Sequence, residues 1–252
     1  MKTVPPHMNG LIAVVSLIGL VLLWWVLALF KADPTVLPSP LAVWQIVQTE
    51  AASGKLLMHI SATLWRVAAA FGLAMVLGMI IGVSMGASQT LDRWFGAWLV
   101  VFLNIPALVV IVLCYLWIGL NEVAAITAVA LNKTAMVAVT IREGTRALDP
   151  KLDEMARSFR MGVVQRFQHV VLPQLWPFIA SSIRNGLAII WKIVLVVEFL
   201  GRSDGVGFQI HLYFQLFEIG YVLAYALSFV GVILILEGTV IKLLERRATR
   251  WR

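Results

Sequence analysis

Charge and reactive side chains are scarce in this sequence: 13% of its 252 residues are charged, and it has one cysteine and four histidines. With Cys114 alone there is no internal disulfide, and the apolar run around it marks a small packing side chain. No set of His, Cys or carboxylates has metal-ligand spacing and no nucleophile stands beside a base, so an enzyme reading has little support. The one Gly-Lys pair, Gly54-Lys55, lacks the upstream glycine and the following Ser or Thr of a phosphate loop. The chain therefore has no means of its own to hydrolyse ATP. Internal repeats, low-complexity tracts and a soluble domain are missing too.

Apolar length is what the sequence has in plenty. It is 61% hydrophobic, far outside the soluble globular range. Crossing a bilayer core about 30 Å thick takes roughly 20 residues, and six stretches reach that length, at 11–30, 67–87, 96–120, 123–141, 176–200 and 220–244. The first is too long for a cleaved signal core and has no small-residue cleavage site, so it reads as a retained span. The expected architecture is an all-α polytopic membrane protein, a single domain over 1–252. It has about six transmembrane helices and a pair of short helices between spans four and five.

With six spans, the two termini, the loop after span two and the loop after span four share one side. That side holds thirteen basic residues: Lys2, Arg93, six from Arg142 to Arg166, and five from Lys242 to Arg252. The other holds three, Lys31, Lys55 and Arg202. Such a bias puts both termini and the 149–173 segment in the cytoplasm. Topology and anionic lipid headgroups account for the net charge of +7, which does not point to nucleic acid.

The segment 149–173 is basic and amphipathic inside an otherwise apolar chain. Asp149 is a good N-cap and Pro150 suits the first helical position, where its missing N–H is not needed. Asp153 and Glu154 put negative charge in or beside the first turn, where the helix dipole favours it. Leu152, Met155, Phe159 and Val163 make a stripe at helical spacing, with Arg157 and Arg160 facing elsewhere. Gly162 permits the left-handed conformation that commonly ends a helix, so the chain can turn there. A second short helix should then run through Val170 and stop at Pro173. From the residues alone, this is either a hairpin lying on the membrane surface or a docking surface for a soluble partner.

Glu154-Met155-Ala156, then Gly162, then Leu172-Pro173 resemble the coupling motif of membrane subunits of ATP-binding-cassette importers, with Met155 in place of the usual first alanine. Leu37-Pro38-Ser39-Pro40, Val43, Gly54, Leu56, His59, Thr63-Leu64 and Arg66 resemble the opening of the nitrate/sulfonate/taurine permease subfamily. Trp191, Glu198 and Gly205-Val206-Gly207 resemble its later landmarks. The resemblance implies the type I ABC importer permease fold, in the inner membrane of a bacterial cell. It implies two ABC ATPase subunits carrying ATP and Mg, a second permease subunit forming a homodimer or else a heterodimer with this chain, and an external substrate-binding protein. This chain itself would bind no cofactor. Glu154, Met155, Ala156, Arg157, Phe159, Gly162, Leu172 and Pro173 would form the ATPase-coupling surface, with Glu154 ion-pairing to the ATPase. The substrate would be a small anion or small organic solute such as a sulfonate, taurine, nitrate or bicarbonate. The competing classes are a gradient-driven secondary transporter and a membrane anchor that transports nothing.

Ionisable residues within spans are functional candidates because they are costly there. Asn132 and Lys133 fall at the middle of span four, Arg184, Trp191, Lys192 and Glu198 along span five, and Glu237 toward the cytoplasmic end of span six. They either line a translocation pathway, where two lysines would favour an anion, or pair with carboxylates such as Glu198 and Glu237 and lock helices together. Gly78, Gly82 and Gly86 make two G-x-x-x-G steps, which let helices approach closely and favour packing inside the chain over a dimer seam. Asn104 and Pro106 predict a kink in span three. A short surface helix is expected over 41–49, and 201–219, rich in Gly and aromatics, is either an external cap or an interfacial anchor.

Overall fold

The computed structural model describes residues 6–31 and 33–248, and it is helical from end to end. The helices are α1 Pro6–Lys31, α2 Pro40–Ala52, α3 Lys55–Ala87, α4 Gln89–Asn104, α5 Ala107–Ile118 and α6 Glu122–Arg146. There follow α7 Pro150–Ser158, α8 Val163–Arg166, a π-helical turn Phe167–Val171, α9 Leu172–Gly201, α10 Val206–Gln215 and α11 Ile219–Ala248. Lys2, Arg250 and Arg252, which enter the orientation argument, lie outside the described residues.

Local chemistry sets most boundaries. The side chains of Ser39, Ser88, Asn121 and Asp149 each accept a backbone N–H from the first turn of the helix that follows. Pro40 and Pro150 occupy first-turn positions. Among the described residues, Val14–Lys31, Lys55–Ala87, Glu122–Arg146 and Ile219–Thr239 are long and apolar enough to cross a bilayer. The pair α4 and α5, bent by 96° at Ile105-Pro106, is either a fifth, broken span or a re-entrant loop. The expected span three is thus two helices with a sharp break, a stronger departure than a kink, and it starts at Gln89 where the sequence placed it at 96. The 30-residue α9 falls outside the apolar set but is long enough to span at about 1.5 Å per residue.

The core is the parallel pair α3 and α6, in contact from Gly78–Val137 through Gly86–Thr145, with α9 packed against both. Gly78, Gly82 and Gly86 carry the first contact. A Cβ on Gly78 would sit 2.5 Å from Val137 Cβ and one on Gly82 2.6 Å from the Ala138 carbonyl, while one on Gly86 would collide with Thr145. The two G-x-x-x-G steps therefore pack inside the chain. Gly186 and Gly144 do the same for α9, taking the rings of Phe71 and Phe178. Buried Ile111, Cys114, Ala128, Val129, Ile190 and Val194 fill the space between α5, α6 and α9. By contrast α1 leaves nearly all its described side chains exposed, and the Trp24 indole donates to the Pro38 carbonyl at 3.1 Å.

Candidate functional site

The segment between α6 and α9 begins as its sequence dictates. Asp149 Oδ1 accepts Lys151 N–H at 2.9 Å and α7 follows at once. Asp153 then ties down both basic neighbours, Arg157 at 3.0 Å and Arg166 at 2.9 Å. Ala156 is fully buried, and its carbonyl accepts Met161 N–H at 3.0 Å, closing the end of α7. Here the structure corrects the sequence. The left-handed residue in that closure is Arg160, φ +52, while Gly162 is extended at φ −64 and caps the start of α8. The six-residue closing bond needs its left-handed position one step after Phe159, and that step falls on Arg160. Nor does Pro173 stop the second helix. The π-helical turn lets Leu172 N–H reach Phe167 O, so the chain runs from Val163 into α9 with Pro173 in the first turn, where no N–H is missed.

The outer face of this segment is apolar and uncovered. Phe159 is 76% exposed, Val163 85% and Val164 67%, with Leu152 and Met155 also exposed. Glu154 is exposed, and its carboxylate makes no ion pair among the described residues. Leu172 is half-buried and Pro173 exposed. Asp149 N–H donates to Gln174 Oε1 at 2.9 Å, which pins the start of α7 to the start of α9. A cleft of about 360 Å³ runs between this segment and the ends of α3 and α6, past Ala87, Thr145, Asp153 and Val163.

The intramembrane candidates separate. Asn132 is half-buried, while Lys133 is 6% exposed in the bundle and has no hydrogen bond or ion pair among the described residues. Arg184 and Lys192 are exposed on α9, and Lys192 Nζ lies 5.4 Å from the Trp191 ring centroid. Trp191 packs edge-on against Phe229 at 6.0 Å, with its indole nitrogen buried and unpartnered. Glu198 is fully buried and bound to Arg66, 2.7 Å from Nη1.

Arg66 is the residue the sequence argument undervalued. Its guanidinium also meets Glu122 at 2.8 and 3.0 Å, and Asp204 Oδ1 at 2.6 Å. Arg202 joins Glu122 at 2.9 Å. Thr63, one turn away on α3, donates to Glu198 Oε2 at 2.9 Å. Two arginines thus face three carboxylates, which leaves no positive site open to an anion. Span two was expected to begin at residue 67, so Arg66 escaped the survey of charges within spans; α3 begins at Lys55. The signal was present all the same, because His59, Thr63, Arg66, Glu198 and Gly205 to Gly207 are the scattered subfamily landmarks, and the fold gathers them.

The family described as the binding-protein-dependent transport system inner membrane component matches residues 74–250. The chain belongs to that family. A Bacillus subtilis (strain 168) protein named for aliphatic sulfonate transport, SsuC, is 32% identical over 246 residues, covering 97% of this chain and 88% of its own. The taurine transport system permease TauC of Escherichia coli (strain K12) is 26% identical over 242 residues, covering 94% and 88%. Among solved structures, an amino acid ABC transporter superposes with a TM-score of 0.62 at 22% identity, over 81% of this chain and 97% of that one. The fold is that of an ABC importer permease. The family match takes in the coupling segment and Glu198 but begins after His59, Thr63 and Arg66, so the cluster joins the shared region to the part of the chain before it.

Proposed function

We propose that this permease, as a homodimer, forms the translocation pathway of an ATP-driven importer in a bacterial inner membrane and takes up a small anion or small organic solute. ATP and Mg belong to two partner ATPase subunits, and an external binding protein delivers the substrate. Both termini and the 149–173 segment are cytoplasmic. The observation that carries this reading is the uncovered face of that segment. Phe159, Val163 and Val164 project from two rigidly pinned short helices beside an unpaired Glu154, a surface shaped for a groove with a basic residue at its rim. Met155, Ala156, Arg157, Gly162, Leu172 and Pro173 shape and hold that face.

In the membrane, Asn132, Lys133, Arg184, Trp191 and Lys192 are the pathway candidates, and Glu198 serves the fold beside them. An exposed ammonium partway along α9 is costly against lipid, so the Lys192 side of α9 faces the second subunit or the pathway. An exposed lysine there, with Lys133 in the bundle as the second candidate, favours a negatively charged substrate, in keeping with relatives named for aliphatic sulfonates and taurine. The test is affinity purification of the tagged chain from its native membrane with mass spectrometry. An ABC ATPase at about one copy per copy of this chain is expected. Recovery of the chain without an ATPase under gentle detergent contradicts the reading, and points to a gradient-driven carrier or an anchor.

A further inference from the structure

After α9 the chain turns back at Gly205, φ +105, into the ten-residue α10. The first backbone N–H groups of a helix have no carbonyl within it to meet. In α10 three successive ones are met from elsewhere. Gly205 N–H donates to His59 Nδ1 at 3.1 Å, Val206 N–H to Thr63 Oγ1 at 2.9 Å, and Gly207 N–H to Glu198 Oε2 at 2.9 Å. The Glu198 carboxylate lies at the positive end of the α10 dipole, with its other oxygen on Arg66. Arg66 in turn holds the Asp204 carbonyl at 3.0 Å and the Asp204 side chain. His59 Nδ1 accepts the Gly205 N–H, and its Nε2 lies 2.5 Å from Gln209 Nε2. There is no room for slack, since a Cβ on Gly205 or Gly207 would overlap Glu198 or the Leu195 carbonyl.

Side chains of α3 and α9 thereby close on one turn of α10. The same α9 begins at Leu172, pinned to α7 through Gln174. It is a single helix from the coupling segment to this cluster. We propose that His59, Thr63, Arg66 and Glu198 are positioning residues: a clamp that stays shut through the transport cycle and makes α3, α9 and α10 one moving body. Motion imposed at the cytoplasmic start of α9, which has Pro177 inside its second turn, is then carried along the helix to the external face. The cycle's movement takes place between this body and its surroundings, and the contact between α10 and α3 does not open.

This rests on the importer reading above, and the experiment separates the two. Hydrogen exchange of the 202–210 segment is followed in the complete complex with its ATPase in lipid nanodiscs, nucleotide-free and trapped with ATP and vanadate. The 205–207 amides are expected to be protected in both states. Thr63→Val keeps the side-chain shape and removes the hydroxyl, so it should raise their exchange roughly twofold to tenfold, the effect of one hydrogen bond on an opening equilibrium. Transport per ATP hydrolysed should fall while hydrolysis persists, and Thr63→Ser should restore it; mere loss of stability would lower both in proportion. Loss of protection on trapping the wild-type complex overturns the clamp, as does Thr63→Val with unchanged exchange or unchanged transport per ATP. A wild-type complex without any ATP-dependent uptake overturns the importer reading instead.

Discussion

Arg66 and Glu198 illustrate how much one buried charge depends on another. Removing one partner of a buried pair costs about 3–5 kcal/mol, because the remaining charge has neither water nor counterion. Arg66→Met should therefore lower the thermal stability of the detergent-solubilised protein sharply, and Arg66→Met with Glu198→Gln should recover part of it. Equal melting temperatures for wild type and Arg66→Met would show that Glu198 is not held as described. Gly162 is the opposite case. A Cβ there meets nothing within 4 Å and φ is −64, so Gly162→Ala should insert and melt like the wild type. Gly162→Glu should also insert but abolish transport, because the added side chain intrudes on the docking face and not on this fold. Normal transport by a well-expressed Gly162→Glu would remove the coupling assignment.

At the level of elements, glycine spacing is what lets α3 and α6 meet. Gly82→Leu drives a side chain into the Ala138 carbonyl and Ile141. It should reduce stability and folded yield strongly, read by size-exclusion profile and melting temperature, whereas Gly72→Leu, with nothing within 4 Å, should behave as wild type. The α7 region was legible in the sequence because its signals are local: a cap at Asp149, a proline after it and an apolar stripe at helical spacing. Less local features were misread for definite reasons. Glycine permits a left-handed turn without requiring it, and the closing bond to Ala156 put that turn on Arg160. Proline stops a helix only if its N–H was needed, and the π-helical turn removed that need at Pro173.

The clamp belongs to the molecule as a whole. Thr63 and Glu198 are 135 residues apart, and no periodicity within either helix announces the other. The resemblance to a permease subfamily gave their names in advance but not their meeting. Across the molecule, one long helix joins an uncovered apolar face at one end to an ionic cluster at the other, and the exposed Lys192 lies between them. That arrangement suits a body moved from its α7 end. The most direct measurement is uptake of radiolabelled small sulfonates into proteoliposomes holding this chain with its partner ATPase and binding protein, with and without ATP, for wild type and Gly162→Glu. The account predicts uptake that needs ATP and vanishes in the variant. Uptake that proceeds without ATP, or that Gly162→Glu leaves intact, would contradict it.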